Sequence, residues 1–327
     1  LIWASDRLGA EVEPTQLAQI AELIVQPMTG AWRFFHTPEH IFEVGGNEDA
    51  IEVLAALFHD IVYVQVDRSI NFNVSYYITP VTKEVNRQLV IREQSELPVD
   101  ATFEMVMMLF GFLPGEVLNP FAGQNEFLSA LVAAKALESF LKPDEILEIA
   151  ACIEATIPFR STEWGITASG RLYDRIQAIN SLFNLNFTDE KIRETVKKAV
   201  RIANRDVISF AHESSAHFLA NTWNLLPETN HNLTDCGFYT VRDYRVALLK
   251  MEGFMNYLNP EVIFRQFEGY PDDRTYQRWE NNARKNLEIA KVYLGCKLAA
   301  IALIEALSSG LGVDVSLAMM MGELPDR

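Results

Sequence analysis

The feature that most constrains this chain is an apolar helical run that ends in the dipeptide His59-Asp60. The run at 54–58 reads Leu-Ala-Ala-Leu-Phe, and Ile-Val-Tyr follows at 61–63. A helix that is apolar on nearly every side is buried, and a buried imidazole beside a buried carboxylate is costly unless both are compensated. Two arrangements meet that requirement. One is a divalent metal bound by a neutral imidazole and an ionised carboxylate, and the other is a core histidine bonded to a carbonyl, with Asp60 paired to an arginine.

Three further polar motifs surround this dipeptide in a fixed order. Arg-Phe-Phe-His-Thr-Pro-Glu-His stands at 33–40, Asn-Glu-Phe-Leu-Ser-Ala at 125–130 and Ala-Asn-Arg-Asp-Val at 203–207. The order resembles the HD-domain metal-dependent phosphohydrolases, and it is most similar to an uncharacterised branch. That branch has an Arg-x-Tyr-His-x-x-x-His opening, a Phe-His-Asp-x-Val-Tyr helix and an Asn-Glu-x-x-Ser-Ala helix. Phe35 stands where the branch has tyrosine.

The resemblance implies an all-α fold, an HD-domain-like helical bundle with an insertion and a C-terminal helical extension. Helical periodicity along most of the chain agrees with this expectation. We expect N-terminal helices and the first half of the core in 1–63, an insertion at 64–123, the second half of the core in 124–225 and the extension in 226–327. The stretch 64–123 is predicted as an insertion because the family's His-Asp helix leads much more directly to its Asn-Glu helix.

The predicted insertion contains a short strand at 76–80 and a Met-rich helix at 103–112. This segment is too apolar for a disordered linker, so we expect it to be ordered. It starts directly after the His-Asp helix and ends directly before the Asn-Glu helix, and both of its ends are therefore expected near the site. A lid that restricts substrate entry and a homodimer interface are the two interpretations.

The resemblance assigns His36, His59, Asp60 and Asp206 as the ligands of one divalent metal ion. Imidazole with carboxylate favours Mn, Fe, Co, Ni or Zn over Mg. Dinuclear HD proteins use additional histidines between the His-Asp pair and the last aspartate, whereas no histidine occurs between Asp60 and Asp206 here. On a regular helix Asp206 lies at the edge of the apolar face and Asn204 points away from it, which favours Asp206 as the downstream ligand.

Glu126, Arg33 and His40 are the candidate catalytic residues around this ion. Glu126 is either a general acid/base or an electrostatic support for a helix N-terminus. Arg33 either holds a phosphate or braces the aspartate of the His-Asp pair. The Thr-Pro at 37–38 predicts an N-cap followed by a first-turn proline. His40 is therefore expected in the first helical turn, supporting a ligand, and it does not share a regular helix face with His36.

Four basic residues recur every four positions on the helix that carries Asp206. They are Arg193, Lys197, Arg201 and Arg205. A phosphate-binding stripe and a solvated face are the two interpretations. The ladder falls on the opposite side of the helix from Asp206, which favours the solvated face.

Charge and composition restrict the partners. The chain of 327 residues has a net charge of −16, which disfavours nucleic-acid backbones and anionic membrane surfaces because both select for clustered Lys and Arg. A small phosphorylated substrate stays compatible, since a local metal dominates the field of a pocket. The resemblance implies hydrolysis of such a molecule, a phosphomonoester or nucleotide-like compound, by a metal-activated water. The alternative is a non-catalytic protein that binds a metal or ligand on an HD scaffold.

The cysteines and the apolar runs indicate the compartment. Cys152, Cys236 and Cys296 are widely separated and form no Cys-x-x-Cys motif. An odd, sparse set of cysteines fits a reducing compartment, and no uninterrupted apolar run reaches the length of a membrane span. We therefore expect a cytoplasmic protein without a membrane segment.

Overall fold

Helices form almost all the regular structure of the computed structural model, which describes residues 1–234, 239–310, 315–320 and 322. The first helices are α1 (Ile2–Leu8), α2 (Pro14–Met28), α3 (Pro38–Gly45), α4 (Ala50–Phe58), α5 (Val64–Asp67) and α6 (Phe72–Ile78). The strands β1 (Thr82–Val85) and β2 (Gln88–Ile91) follow. Later helices are α7 (Ala101–Phe110), α8 (Gln124–Leu137), α9 (Pro143–Ala155), α10 (Ala168–Phe183), α11 (Asp189–Asp206), α12 (Ser215–Trp223), α13 (Leu225–Thr229), α14 (Val241–Tyr257), α15 (Asp273–Gly310) and α16 (Leu317–Met320). The predicted all-α class is confirmed.

The chain divides into two compact units. The first consists of Leu1–Gly30, His36–Val207 and Phe264–Tyr276. The second consists of Ala31–Phe35, Ile208–Ile263 and the described part of Gln277–Arg327. The segment 64–123 belongs to the first unit, together with most of the residues singled out by the sequence.

The core of the first unit is built around α8 and α9. Helix α8 is buried along nearly its whole length, and α9 packs against α4, α8 and α11. Leu128, Leu131 and Leu147 are at most 1% exposed, and each such side chain contributes roughly 1.5–3 kcal/mol through burial. Small residues on α8, among them Ala130 and Ala133, allow the neighbouring helices to approach closely. The core thus fixes α4 and α11, the helices that carry the site.

The segment 64–123 is ordered and packs within the first unit. Helix α7 packs on α8, α9 and α10, so the apolar face of the Met-rich helix finds its partner inside the same chain. The strand predicted at 76–80 is wrong, because most of this stretch lies in helix α6. The side chain of Asn71 caps α6 by accepting a hydrogen bond from the N–H of Asn73. The hairpin follows instead at β1–β2, where Asn86 and Arg87 both have positive φ, as a tight two-residue turn requires.

Helix α11 ends at Asp206, much earlier than the continuous helix over 188–220 that periodicity predicts. A short 3₁₀ helix, Ile208–Ala211, follows, and α12 begins separately because the Ser214 hydroxyl caps its N–H groups. The break makes Asp206 the last residue of its helix.

The second unit consists largely of long helices, which polar side chains connect. Arg245 on α14 pairs with Glu305 on α15. Asn286 on α15 is fully buried and donates hydrogen bonds to the carbonyls of Phe210 (2.9 Å) and His212 (2.8 Å). Asn286 therefore connects the residues that follow α11 to helix α15.

Two observations bear on environment. No helix within the described residues is both long enough and apolar enough to cross a membrane. Cys152 is a buried free thiol and Cys296 an exposed one, whereas Cys236 lies outside the described residues.

Candidate metal centre

Four side chains from three helical regions converge at one point of the first unit. They are His40 in the first turn of α3, His59 and Asp60 directly after α4, and Asp206 at the end of α11. One ligand atom from each lies within 4.8 Å of all the others. Because α3 packs on both α4 and α11, the fold brings the first turn of α3, the turn after α4 and the end of α11 to one point.

Imidazole nitrogens face carboxylate oxygens throughout this group, which we call the His/Asp cluster. His59 Nε2 lies 2.9 Å from Asp60 Oδ2 and 3.7 Å from Asp206 Oδ1. His40 Nε2 lies 3.0 Å from Asp206 Oδ1 and 3.8 Å from Asp60 Oδ2. Both carboxylates are therefore within ion-pairing distance of both rings.

The hydrogen bond on the far side of the His59 ring fixes its tautomer. His59 Nδ1 lies 2.7 Å from the carbonyl oxygen of Ala56, which can only accept, so Nδ1 carries a proton. The Nε2 atom then presents either a lone pair or a second proton to the carboxylates. This buried Nε2 makes no aligned hydrogen bond with any described residue, despite its short distance to Asp60. A cation or a second proton is thus needed between the ring and the carboxylates.

The protein's own charges shift the acid–base properties of the cluster. Burial disfavours the imidazolium form of His59, but the charges of Asp60 and Asp206 outweigh it and hold the pKa of His59 well above its ordinary value. Burial likewise disfavours ionised Asp60, yet His59 and His36 hold the pKa of Asp60 well below its usual range. Despite its burial, Asp206 has a pKa lowered to about 2 by His40 and His59. Both carboxylates are therefore ionised at neutral pH.

His36 lies at the edge of this cluster. Its Nε2 is 3.9 Å from Asp60 Oδ2, and its ring makes edge contacts with Tyr63 (4.8 Å between centroids) and His40 (5.7 Å). The compact four-residue group contains His40, which the sequence analysis gave a supporting role, and does not contain His36. The assignment of His36 as a ligand stays a prediction, and His40 becomes the histidine best placed beside Asp206.

The Asn-Glu-x-x-Ser-Ala motif on α8 holds the residues that follow Asp60. Ser129 Oγ accepts a hydrogen bond from the N–H of Val62 (3.1 Å), and Asn125 Oδ1 accepts one from the N–H of Val64 (3.3 Å). Gly123, with φ +92°, immediately precedes α8, where a Cβ would stand 2.5 Å from Ile157 Cδ1. These contacts explain how a motif remote in sequence fixes the chain that leaves the cluster.

Glu126 projects from the same helix into the field of the cluster. Burial, together with the negative charges of Asp60 and Asp206, raises the pKa of Glu126 to about 7, and Arg160 opposes the shift. A carboxyl group with this pKa exchanges protons readily at neutral pH. Sequence reasoning selected Glu126 but not Arg160. The only sequence signal for Arg160 was its position shortly after the end of the buried helix α9.

Arg33 belongs to the second unit and is buried, at 7% exposure. In the same short segment, the Glu228 carboxylate accepts hydrogen bonds from the N–H groups of Phe34 (2.9 Å) and Phe35 (2.7 Å). These bonds fix the backbone next to Arg33 within its own unit. The predicted role of Arg33, phosphate binding or bracing of Asp60, stays a prediction.

The residues present fit a divalent transition metal. Two imidazole nitrogens, from His40 and His59, face two carboxylate oxygens, from Asp60 and Asp206, and this mixed donor set suits Mn, Fe, Co, Ni or Zn. The buried His59 Nε2, oriented by its bond to Ala56, is the atom that most needs such a partner. The bond resembles the outer hydrogen bond that fixes metal-ligating histidines in general.

Comparison with protein-family models, with curated proteins and with solved structures finds no match to this chain.

Proposed function

We propose that this chain is a metal-dependent phosphohydrolase of the HD type that acts on a small phosphorylated molecule. The observation that carries the proposal is the His/Asp cluster with Glu126 beside it. Four ligand atoms lie within 4.8 Å of one another, and the neighbouring carboxyl group has a pKa of about 7. A site that only stored a metal would not need such an acid–base group. The order of the sequence motifs supports the same proposal.

His40, His59, Asp60 and Asp206 are the residues that would hold the ion, with His36 available at the edge of the cluster. A divalent ion bound there would act as a Lewis acid towards water and a phosphate oxygen. The protein supplies the orientation of the donors. The Ala56 carbonyl fixes the His59 ring, and α8 fixes the backbone after Asp60 through Ser129.

Glu126 is the proposed proton-transfer residue. Hydrolysis of a phosphate ester requires a proton to leave the attacking water and a proton to reach the leaving oxygen. A bound cation would offset the part of the pKa shift of Glu126 that Asp60 and Asp206 cause, whereas burial, the largest cause, would still raise the pKa above its ordinary value. A carboxyl group with a raised pKa serves either step near neutral pH. Glu126 would therefore accept the proton of the attacking water at a carboxylate oxygen and return one to the leaving group.

The proposal is tested by metal analysis and a substrate screen on the purified full chain. Protein prepared with Mn, Co, Ni, Zn or Mg is assayed for bound metal and for hydrolysis of phosphomonoesters and nucleotides. We expect stoichiometric metal and hydrolysis in the wild type. Both should be lost in Asp206→Asn and in His59→Ala.

Matched controls come from the same molecule. Asp189→Asn changes an exposed aspartate at the opposite end of α11, and His217→Ala removes an exposed histidine of α12. Both controls should retain metal and activity. Metal content that is equal in wild type and Asp206→Asn would refute the metal site. Stoichiometric metal without hydrolysis of any phosphate ester would instead support the non-catalytic metal-binding alternative.

A further inference from the structure

Three arginines of the first unit gather around one buried carboxylate at the C-terminal end of α9. Glu154 is 1% exposed, and Arg160 binds its carboxylate at two points, with Nη1 at 2.6 Å from Oε1 and Nη2 at 2.8 Å from Oε2. Arg175 Nη1 lies 3.3 Å from the same Oε1. Arg265, 9% exposed, donates from Nη2 to the carbonyl of Ile157. We call these three guanidinium groups the arginine cluster.

The arginine cluster holds more positive charge than Glu154 neutralises. Glu154 carries one negative charge beside three guanidinium groups, in a chain whose net charge is −16. Glu126, Glu163 and Asp206 also act on these arginines, and Arg171 adds a further positive charge. The neighbouring carboxyl Glu126 is only partly ionised at neutral pH, since its pKa is about 7. Excess buried charge is unfavourable unless an opposite charge accompanies it.

Two donors of the cluster are unsatisfied. Among the described residues, none accepts a hydrogen bond from Arg265 Nη1 or from Arg160 Nε, although both atoms are buried. Buried polar groups in folded proteins are almost always hydrogen-bonded, so an exception points to a function or a bound group. Arg265 is the stronger case because the residue as a whole is nine-tenths buried.

The cluster adjoins the candidate metal centre. The charge of Arg160 acts on Glu126, and the charge of Asp206 acts on Arg265. Asn204, two residues before Asp206, bonds the Arg265 backbone on both sides, accepting from its N–H (2.8 Å) and donating to its carbonyl (2.9 Å). Asn204 therefore ties the segment that carries Arg265 to the helix that ends at the proposed ligand Asp206.

We propose that Arg160 and Arg265 form an oxyanion site that takes the phosphate group of a ligand beside Glu126. Arg160 Nε and Arg265 Nη1 would donate to its oxygens. Guanidinium groups suit phosphate because their planar N–H donors match two oxygens at once. That the bound phosphate belongs to a substrate rests on the proposed function, whereas the binding of the anion does not.

A purely structural role is the competing explanation. Arg160 Nη2 also donates to the Glu154 carbonyl (3.0 Å), and Arg265 donates to that of Ile157, so both arginines satisfy backbone carbonyls at the end of α9. A structural role uses only the Nη donors that are already engaged. It predicts that replacement of Arg160 or Arg265 affects stability and leaves phosphate binding unchanged.

The test is isothermal titration calorimetry, in which inorganic phosphate is added to the metal-free full chain at constant ionic strength. Arg265→Lys keeps the charge and a donor for the Ile157 carbonyl but removes Nη1. Arg160→Gln removes one charge and Nε, while Arg175 stays beside Glu154. Arg201→Gln is the matched control, since it removes an arginine of similar exposure that pairs with a different buried carboxylate, Glu52.

We expect saturable phosphate binding in the wild type, weakened about tenfold or more in each cluster variant, because each loses a charge-assisted hydrogen bond. Arg201→Gln should stay within about twofold of wild type. Absence of saturable binding in the wild type overturns the site. An equal loss in the control overturns it as well, since it would show general electrostatics only.

The outcome separates this inference from the proposed function. A chain that binds phosphate through Arg160 and Arg265 but takes up no metal keeps the oxyanion site and refutes the hydrolase. A chain that binds metal and hydrolyses phosphate esters, with unaltered phosphate affinity in both cluster variants, keeps the hydrolase and refutes the oxyanion site.

Discussion

Helices α4 and α11 are joined twice by buried charge, and the two junctions differ in chemistry. Near the start of α4, Glu52 is 1% exposed and receives Arg201 at 2.6 Å on Oε1 and Arg205 at 2.7 Å on Oε2. Past the end of α4, His59 and Asp60 face Asp206 in the His/Asp cluster. We call the first junction the Glu52 pair.

The difference lies in the permanence of the positive charge. Guanidinium stays protonated at any pH that the fold survives, so the Glu52 pair is a constant structural fastening. An imidazolium, by contrast, can give up its proton and then offer a lone pair, so in the His/Asp cluster a metal ion can replace the proton that the raised pKa of His59 retains. The sequence analysis favoured a solvated face for the four basic residues of α11. Arg201 and Arg205 instead form ion pairs with the buried carboxylate of Glu52.

The largest expected effect comes from breaking the Glu52 pair. The double variant Arg201→Ala/Arg205→Ala leaves Glu52 buried with no arginine partner, and the free energy of unfolding should fall by about 3–5 kcal/mol. Urea denaturation measures this loss. Metal uptake by the folded fraction should be unchanged. A loss below about 1 kcal/mol would mean that Glu52 is neutralised in another way.

Glu126→Gln should stabilise the metal-free protein while abolishing hydrolysis. The native pKa of Glu126 is about 7, above the ordinary 4.5. The unfolded chain therefore ionises first as the pH rises, and the native state loses stability between pH 4.5 and 7. Glutamine removes this penalty, so the gain should reach about 3 kcal/mol well above pH 7 and vanish below pH 4.5.

Denaturation of both Glu126 forms at pH 4 and pH 8 measures the difference. Glu138→Gln is the control, because Glu138 is more exposed than Glu126 and lies just past the end of the same helix. This variant should show no comparable gain in the free energy of unfolding at pH 8. Equal stability of wild type and Glu126→Gln at pH 8 would contradict the raised pKa.

Metal affinity should depend steeply on pH at the His/Asp cluster. The pKa of His59 is raised above its ordinary value by Asp60 and Asp206 after burial is overcome, so at neutral pH a proton competes with the ion for Nε2. Below the His59 pKa, each ion bound releases a proton, and affinity should rise about tenfold per pH unit, roughly 1.4 kcal/mol.

Isothermal titration with Mn or Zn between pH 5.5 and 7 gives this slope. An affinity that does not change with pH would mean that His59 is not a ligand. The Glu52 pair supplies the contrast, since Arg201→Gln should leave the slope unaltered.

The smallest effect is expected where α8 supports the cluster from outside. Ser129→Ala removes the acceptor of the buried Val62 N–H and should cost about 1 kcal/mol of stability, with a modest loss of metal affinity through displacement of Asp60. Ser181→Ala, at an exposed serine of α10, is the control. Unchanged stability and affinity in Ser129→Ala would show that the motif does not position Asp60.

Local signals in the sequence predict much of this fold. The sequence predicts Thr37 at an N-cap with Pro38 in the first helical turn, and it predicts the burial of His59. Both positions are confirmed, although the Thr37 side chain makes no capping hydrogen bond to the backbone. The failures have local causes as well. The apolar, aromatic stretch of α6 imitates a strand, and only the Asn71 cap distinguishes it. Continuous periodicity past Asp206 concealed the break at Val207.

Contacts between distant segments lie beyond such rules. Periodicity assigns Asp206 to a helix face but does not say whether His36 or His40 stands nearer to it, because that depends on how α3 packs against α11. Arg265 lies about sixty residues after α11 in the sequence, and no local pattern connects it to Asn204. The motifs that contribute to the His/Asp cluster can therefore be recognised from the sequence, whereas the arginines near Glu126 cannot.

The double hydrogen bond between Asn204 and the backbone of Arg265 has a consequence for binding thermodynamics. The backbone N–H and the carbonyl of Arg265 are both bonded to α11 in the folded protein. The entropic cost of ordering this segment is therefore incurred during folding, before any ligand binds. A ligand that engages Arg265 meets a preorganised donor, and its affinity is not reduced by loop closure. Asn204→Ala should therefore weaken phosphate binding through a less favourable binding entropy, with every guanidinium group still present.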